Sequence, residues 1–420
     1  MANAHNNGNK NNNGNKRYFD HRKLRIAILG SRGYPQTYSG YEVFVGELAP
    51  RMVSRGHEVI VYCRRSLFKE KPQYYKGVRL VYLPSIETKE LGTFTHTLVS
   101  TFDMLFRGVD VALVVNISNA FHCVIPRVLG KKVAINVDGL DWKRDKWGPL
   151  AKAYFYLNAR AVRRICPKGV ITDAREMQRI YVEEFGTPSA CITYGAELDI
   201  TTESQALSQY GLEPFKYYLI LSRMVPENNA DLIVSAFERV RTSKILAIAG
   251  DANYRSSFVD RLKQTNDGRV RFIGHVGSPD HVKQLHSNAY AYVHGHSLGG
   301  TNPSLLTALA CRNCVLALNT PFNREVLQDY GILFSRDATD LARKLQQIED
   351  HPEQAVKYRN RAQNRVREAY TWEKITDQYE ELLLQLANGE DPTKVHSTVP
   401  HVGVHVEPPK VEVSSLDATR

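Results

Sequence analysis

LRIAILGSRGYPQTYSGYEVFVGELAPRMVSRGHEVIVY, residues 24–62, decides the fold. Residues 24–29 are an apolar run of strand length. The run ends at Gly30-Ser31-Arg32-Gly33-Tyr34-Pro35, a strong turn signal. A helical pattern follows over 40–55, Gly56 stops it, and 57–62 (HEVIVY) reads as the next strand. Strand, loop, helix and strand make a βαβ unit, which lays its two strands parallel.

The alternation continues outward from this unit. Strands are predicted at 78–82, 109–115, 132–137, 169–172 and 190–192, with helices at 94–106 and 174–185. Residues 197–205 are polar and without period, and serve as a linker. A second series of strands follows at 217–221, 245–249, 269–273, 289–294, 315–318 and 331–334, with helices at 230–240, 254–264 and 303–310. The fold class expected is α/β: two Rossmann-like, doubly wound domains, 21–200 and 206–370, facing a central cleft. Residues 371–387 carry a strongly amphipathic helix, TWEKITDQYEELLLQL over its first sixteen positions. The Asn-rich residues 1–20 and the Pro- and Val-His-rich residues 388–420 have little to bury and are expected to be disordered.

At 420 residues, 43% hydrophobic and 24% charged, the chain has the composition of a globular protein. No run approaches the ~18–20 apolar residues of a membrane span, and the N-terminal residues lack a signal peptide's apolar core, so a cytoplasmic location is expected. Six cysteines with a single C-x-x-C, Cys311 and Cys314, suit a reducing compartment and speak against zinc. The net charge of +11 suits an anionic partner. No nucleic-acid-binding motif accompanies it, which leaves a solvated basic face or peripheral attraction to the inner face of a membrane.

Ligands in such sheets bind beyond the carboxyl ends of strands, where the distinctive loops fall. Asn302 is a good N-cap and Pro303 suits the first helical position, while Gly299 and Gly300 allow close approach of backbone. With Thr301 and Ser304 they make a helix start suited to a diphosphate, or an ordinary well-capped helix. Ser39-Gly40-Tyr41-Glu42 reads as a capping box, which makes Glu42 a cap, and Gly40 could bring its amide to a phosphate. A dinucleotide fingerprint is absent, since the first loop offers only Gly30 and Gly33. Arg223 follows a strand and could bind phosphate bidentately or make a surface ion pair. The loop from Asp138 to Arg144 offers carboxylates and cations for a sugar and phosphate, or is simply a polar loop held by Trp142. His294 and His296 end another strand, as ligand contacts or as packed residues.

Taken together, ILGSRGYP (28–35), YSGYE (38–42), VDGLDWKRDKWG (137–148), SRMVPENN (222–229), IAGDANY (248–254), HGHSLGGTNPSLL (294–306) and TPFNREVL (320–327) resemble the GT4 family of retaining glycosyltransferases. More narrowly, they resemble a bacterial rhamnosyltransferase-like subgroup. The resemblance runs from about residue 24 to 386. It implies a GT-B fold, an acceptor-side first domain and a donor-binding second domain, with the last helix crossing back. It implies that Arg223 and residues 299–304 hold the donor diphosphate, that Gly40 faces them, and that no cofactor or metal is required. Asn228 and His296 are implied donor contacts. Asp138 and Arg223 are the implied catalytic pair, in a hexosyltransferase that retains configuration through front-face attack.

The chain departs from the wider family at named positions. Two glutamates eight residues apart are replaced by Gly299 and Thr307, and a neutral hydroxyl at the second loses a charge-assisted bond worth ~1.5–3 kcal/mol. Arg312 stands where a helix-ending Gly is usual, Asn228 where Lys is usual, Ser39 where Gly is usual, and Asp138 where many relatives have a His that meets the sugar's 6-hydroxyl. A 6-deoxy sugar, L-rhamnose, is therefore one expected cargo. The expected partners are a nucleotide diphosphate sugar and a glycan or lipid-linked acceptor of polysaccharide biosynthesis. The alternatives are a noncatalytic relative acting as a binding protein and a sugar-nucleotide epimerase.

Overall fold

The structure, a computed structural model, describes residues 22–35, 40–88, 91–144, 147–250 and 257–394. The expected tail 1–20, Ser39 of the capping box, and most of the GDANY segment lie outside the described residues.

Two sheets carry the architecture. The first contains β1 (Arg25–Leu29), β2 (Glu58–Arg64), β3 (Tyr74–Tyr75), β4 (Val78–Leu83), β5 (Val111–Val115), β6 (Lys132–Val137), β7 (Val170–Thr172) and β8 (Ala190–Cys191), in the order β3-β4-β2-β1-β5-β6-β7-β8. Its strands are parallel apart from the β3–β4 pair. The second contains β9 (Tyr217–Leu221), β10 (Ile245–Ala249), β11 (Val270–Gly274), β12 (Ala291–His294), β13 (Val315–Leu318) and β14 (Ile332–Phe334), all parallel, in the order β11-β10-β9-β12-β13-β14. Strand order reverses at β1/β5 and at β9/β12, and each reversal opens a crevice at the carboxyl ends. These are the two doubly wound parallel sheets that the alternating pattern predicts, in the GT-B arrangement that the resemblance implies.

Helices cover both faces of each sheet, so strands are buried on both sides and read as continuous apolar runs. In β1, Ile26 and Ile28 enter one core while Ala27 and Leu29 enter the other, as a two-residue period requires. The helix Trp372–Ala387, capped by the Thr371 hydroxyl, leaves the second domain and packs on the first. Asn136 of β6 donates to the Tyr379 hydroxyl at 2.6 Å, and Arg55 meets Glu380 at 2.6 Å. The indole of Trp372 lies where a Cβ on Gly195 would stand, 2.6 Å from a ring carbon.

Several segments depart from the sequence reading, among them four helices of the second domain that it does not name, Pro279–Ser287, Pro321–Leu327, Ala338–Asp350 and Pro352–Ala369. The fold continues past residue 388, where a disordered tail is expected. Asn388 accepts from Arg22 at 2.7 Å, and Pro392–Lys394 forms a 3-10 turn. The remainder of that segment lies outside the described residues. Residues 149–165 form a long helix that the sequence reading does not name; it buries Phe155, Asn158, Ala159, Val162 and Ile165 and leaves Leu150 and Leu157 facing outward.

Candidate active site

Two helix starts, one from each domain, face each other across the cleft. The helix Pro303–Ala310 begins with the Asn302 side chain accepting from the Ser304 amide at 3.1 Å and from its hydroxyl at 2.8 Å. Tyr292 of β12 steadies Ser304 from behind, hydroxyl to hydroxyl at 3.2 Å. Opposite lies the helix Gly40–Ser54, and a Cβ built on Gly40 would stand 3.5 Å from Pro303 Cγ. Each start turns the positive end of a helix dipole toward the gap, which therefore favours a multiply charged anion, although the first-turn amides of the second helix are already taken, Ser304 by its cap and Leu305 and Leu306 by the Asn302 carbonyl. The Glu42 carboxylate accepts from the Arg32 amide at 2.8 Å and so ties the first loop to the helix. That is a positioning role; the capping box expected for Glu42 involves Ser39, which lies outside the described residues.

Arg223 follows β9, is exposed, and makes no side-chain hydrogen bond or ion pair with any described residue. Arg144 arrives from the first domain, half-buried and 3.5 Å from Asp141. A Cβ on Gly299, whose φ is +130°, would lie 3.9 Å from Arg144 Nη2. Both guanidiniums act on His296. Burial, then Arg223 and Arg144, push its pKa down to about 3, so its imidazole is neutral at neutral pH. The ring stacks on His294 at 4.2 Å, and His294 is fully buried against the Tyr292 hydroxyl at 3.2 Å. Of the two histidines, His296 is the one near the cations, and His294 is a packing residue.

Asp138 follows β6 and accepts from the Tyr194 hydroxyl. Asp173 follows β7 and is also buried. Burial raises both carboxyl pKa values; proximity to Asp138 adds to the rise at Asp173, while Tyr194 and Arg144 oppose it at Asp138. Asp173 Oδ1 has no hydrogen-bond partner among the described residues. The Thr301 hydroxyl donates to the Asp173 carbonyl, and the Gly300 backbone lies against the Asp173 carboxylate. Asp173 thus belongs to the site, and sequence reasoning missed it. Its position directly after a strand was the available signal.

The other predicted residues are placed as follows. Gly299, Gly300, Thr301, Asn302 and Ser304 form one wall of the cleft, with Gly40 and Asp138 opposite. Asn228 is buried and donates to the Arg223 carbonyl at 2.8 Å, so it shapes the loop that carries Arg223. The Thr307 hydroxyl donates to the Pro303 carbonyl of its own helix at 3.0 Å. Arg312 takes up the left-handed helix end with φ +60°, and its guanidinium donates to Asn360 at 2.6 Å. A second contact outside the sequence reading is Glu325. It accepts from the amides of Arg175 and Glu176 at 2.8 and 3.3 Å, capping the helix Arg175–Phe185 of the other domain.

Residues 206–365 match the family described as glycosyl transferases group 1, and residues 38–194 match glycosyltransferase family 4. No curated protein matches the chain. Among solved structures, a sucrose-phosphate synthase from Thermosynechococcus elongatus superposes with a TM-score of 0.72 at 17% identity, covering 88% of this chain and 100% of that one. HepE of Anabaena, solved with UDP and glucose, gives 0.69 at 14% identity over 86% and 100%. A glycosyltransferase from Rickettsia africae gives 0.68 at 14% identity over 87% and 98%. Likeness at these identities shows the fold, and the two family matches, one in each domain, are both to glycosyltransferases.

Proposed function

We propose that this chain, which has the GT-B fold and matches a glycosyltransferase family in each domain, is a GT4-type retaining hexosyltransferase that moves a sugar from a nucleotide diphosphate to a glycan or lipid-linked acceptor. The observation that carries this reading is the pair of helix starts at Gly40 and Asn302-Pro303, 3.5 Å from Cβ position to ring, with Arg223 unpaired beside them. A donor diphosphate laid there gains two dipoles and a guanidinium as its charge grows on departure. Those groups, rather than a metal ion, neutralise the leaving diphosphate. The acceptor hydroxyl attacks from the face that the diphosphate leaves, and a phosphate oxygen takes its proton. Asp138, held by Tyr194, faces the sugar. The histidine that meets the sugar's 6-hydroxyl in many relatives is absent at this position, which motivates a 6-deoxy sugar such as L-rhamnose as cargo, and the product enters polysaccharide biosynthesis. HepE of Anabaena has been solved with UDP-glucose, which supports a nucleotide sugar as the donor class.

One observation favours a second reading, a noncatalytic binding protein. Thr307 spends its hydroxyl on its own helix and offers the donor no carboxylate. Calorimetric titration with UDP, dTDP and GDP and their sugars separates the two. Micromolar binding of one nucleotide supports transfer, and folded protein that binds none overturns it. Faster turnover with UDP-glucose than with dTDP-rhamnose would overturn the 6-deoxy assignment.

A further inference from the structure

The proposed chemistry occupies the carboxyl ends of the first sheet and leaves its amino ends without a role. Between Asp110 and Asp138 the sequence holds no Asp or Glu and three cations, Arg127, Lys131 and Lys132. The fold brings all three to one cavity of about 260 Å³, which Lys168 also lines. Lys132 opens β6 and residue 169 precedes β7, so the cavity lies at the amino ends of these strands. The six residues of β6 separate it from the cleft, about 20 Å of extended chain. Its remaining wall comes from the segment that ends and follows the helix Trp372–Ala387, through Leu386, Gly389 and Glu390.

These cations have donors to spare. Arg127 and Lys132 make no side-chain hydrogen bond or ion pair with any described residue. Lys131 donates to the Val109 carbonyl at 3.3 Å and Lys168 to the Gly389 carbonyl at 3.0 Å, each using one of the three donors of its ammonium. Glu390, the one acid on the wall, forms no ion pair with them among the described residues. The returning segment comes close to the strand start, since a Cβ on Gly389 would stand 4.0 Å from Lys132 Nζ. A solvated basic surface spreads its charges, whereas four gathered at one cavity repel one another, and an anion placed among them relieves that repulsion. No lining residue carries an aromatic ring or a hydroxyl, so nothing stacks a base or reads a sugar, and recognition rests on charge.

We propose that this cavity binds a compact soluble polyanion, a diphosphate or another small phosphate compound of three or more charges, at a site separate from the cleft. Arg127 and Lys132 take its oxygens from one side. Lys168 takes them from the other while it holds the Gly389 carbonyl. An occupied site therefore fastens the segment that returns from the second domain to the first. The site draws on none of the residues assigned to sugar transfer.

The test is calorimetric titration of the full chain with inorganic pyrophosphate at about 0.1 M salt, in the presence of saturating UDP, which occupies the cleft. One pyrophosphate site is expected beyond the UDP site. R127Q/K132Q should weaken it roughly tenfold or more. R127K/K132R keeps both charges and should bind as the parent does, which separates lost charge from a damaged fold. E390Q removes only a charge that repels the ligand and should tighten binding about two- to fivefold. K263Q/K357Q lowers the net charge by the same amount at two exposed lysines of the second domain and should leave binding unchanged. An equal loss in K263Q/K357Q would mark unspecific attraction to a basic protein and overturns the proposal. So does undiminished binding by R127Q/K132Q, or no pyrophosphate binding beyond the UDP site. UDP affinity of R127Q/K132Q should match the parent's. A chain that binds pyrophosphate through Arg127 and Lys132 but binds no UDP keeps this site and loses the donor reading, so the two failures are distinguishable.

Discussion

The carboxylate of Asp173 occupies the space that a side chain at position 300 would need: a Cβ on Gly300 would stand 1.9 Å from Asp173 Oδ1. The two residues belong to different domains, so the closed arrangement of the cleft depends on Gly300 having no side chain. Gly300→Ala is expected to destabilise that arrangement by about 1–3 kcal/mol, as overpacking does. Asp173→Gly should relieve it, leaving a coupling of about 1 kcal/mol or more between the two sites. Thermal melts of the two single variants and the double variant check this, and additive shifts would refute it.

Gly40 gives a graded version of the same argument. At 3.5 Å from Pro303 Cγ, a methyl group makes ordinary van der Waals contact. Gly40→Ala should therefore keep donor affinity within roughly threefold, whereas Gly40→Leu fills the gap between the helix starts and should cost tenfold or more. Calorimetric titration with the nucleotide that the parent binds decides between them.

These positions mark how far the sequence could be read. Strands such as β1 and β5 were legible because burial on both faces leaves no polar residue to interrupt the run. The Asn302-Pro303 helix start was legible because capping is local chemistry. Asp173 and Glu325 acquire their roles only when two domains distant in sequence close on each other, and no local pattern records that. Asn228 and Thr307 have the right chemistry for ligand contacts, but the structure spends the amide of one and the hydroxyl of the other on nearby carbonyls.

Glu325 should act as a closure contact. Its carboxylate caps a helix of the other domain and is itself held above the usual carboxylate range by burial, against the pull of the Arg175 and Glu176 amides. Glu325→Ala removes the acceptor and should cost about 1 kcal/mol, the ordinary worth of a cap. It should also open the molecule, seen as faster proteolysis between the domains. Glu325→Gln keeps an acceptor and should restore most of the protection.

Buried histidines set a pH dependence. Burial pushes His96 and His286 down to about 4 from an ordinary value of 6.5. A histidine whose folded pKa is depressed contributes stability that is full above about 6.5 and is lost as pH falls toward about 4, because only the unfolded chain takes the proton readily. At pH 5 each should cost roughly 2 kcal/mol. Asp138, Asp173 and Glu325, with raised pKa values, work in the opposite direction. A single replacement therefore gives the cleaner reading. Neither ring nitrogen of His96 has a hydrogen-bond partner among the described residues. His96→Leu should melt near the parent at pH 7.5 and above it at pH 5; parallel pH profiles would show that His96 is not held neutral.

Thr307 offers the sharpest test of the donor site. Positions 303, 304 and 307 share one face of their helix, and Pro303 on that face looks across the cleft at Gly40. A longer side chain at 307 therefore extends toward the cleft where the proposed donor would lie, whereas the threonine hydroxyl turns back to Pro303. Thr307→Glu gives up one bond within the helix and places a carboxylate where a ribose hydroxyl can donate to it. A charge-assisted bond is worth ~1.5–3 kcal/mol, so donor affinity should rise roughly ten- to hundredfold. The gain should vanish for a donor whose ribose hydroxyls are methylated, which separates ribose recognition from a general change in charge. A Thr307→Glu variant that binds no more tightly than the parent would mean that position 307 does not face the ribose, and that this chain holds its nucleotide by the helix starts and Arg223 alone.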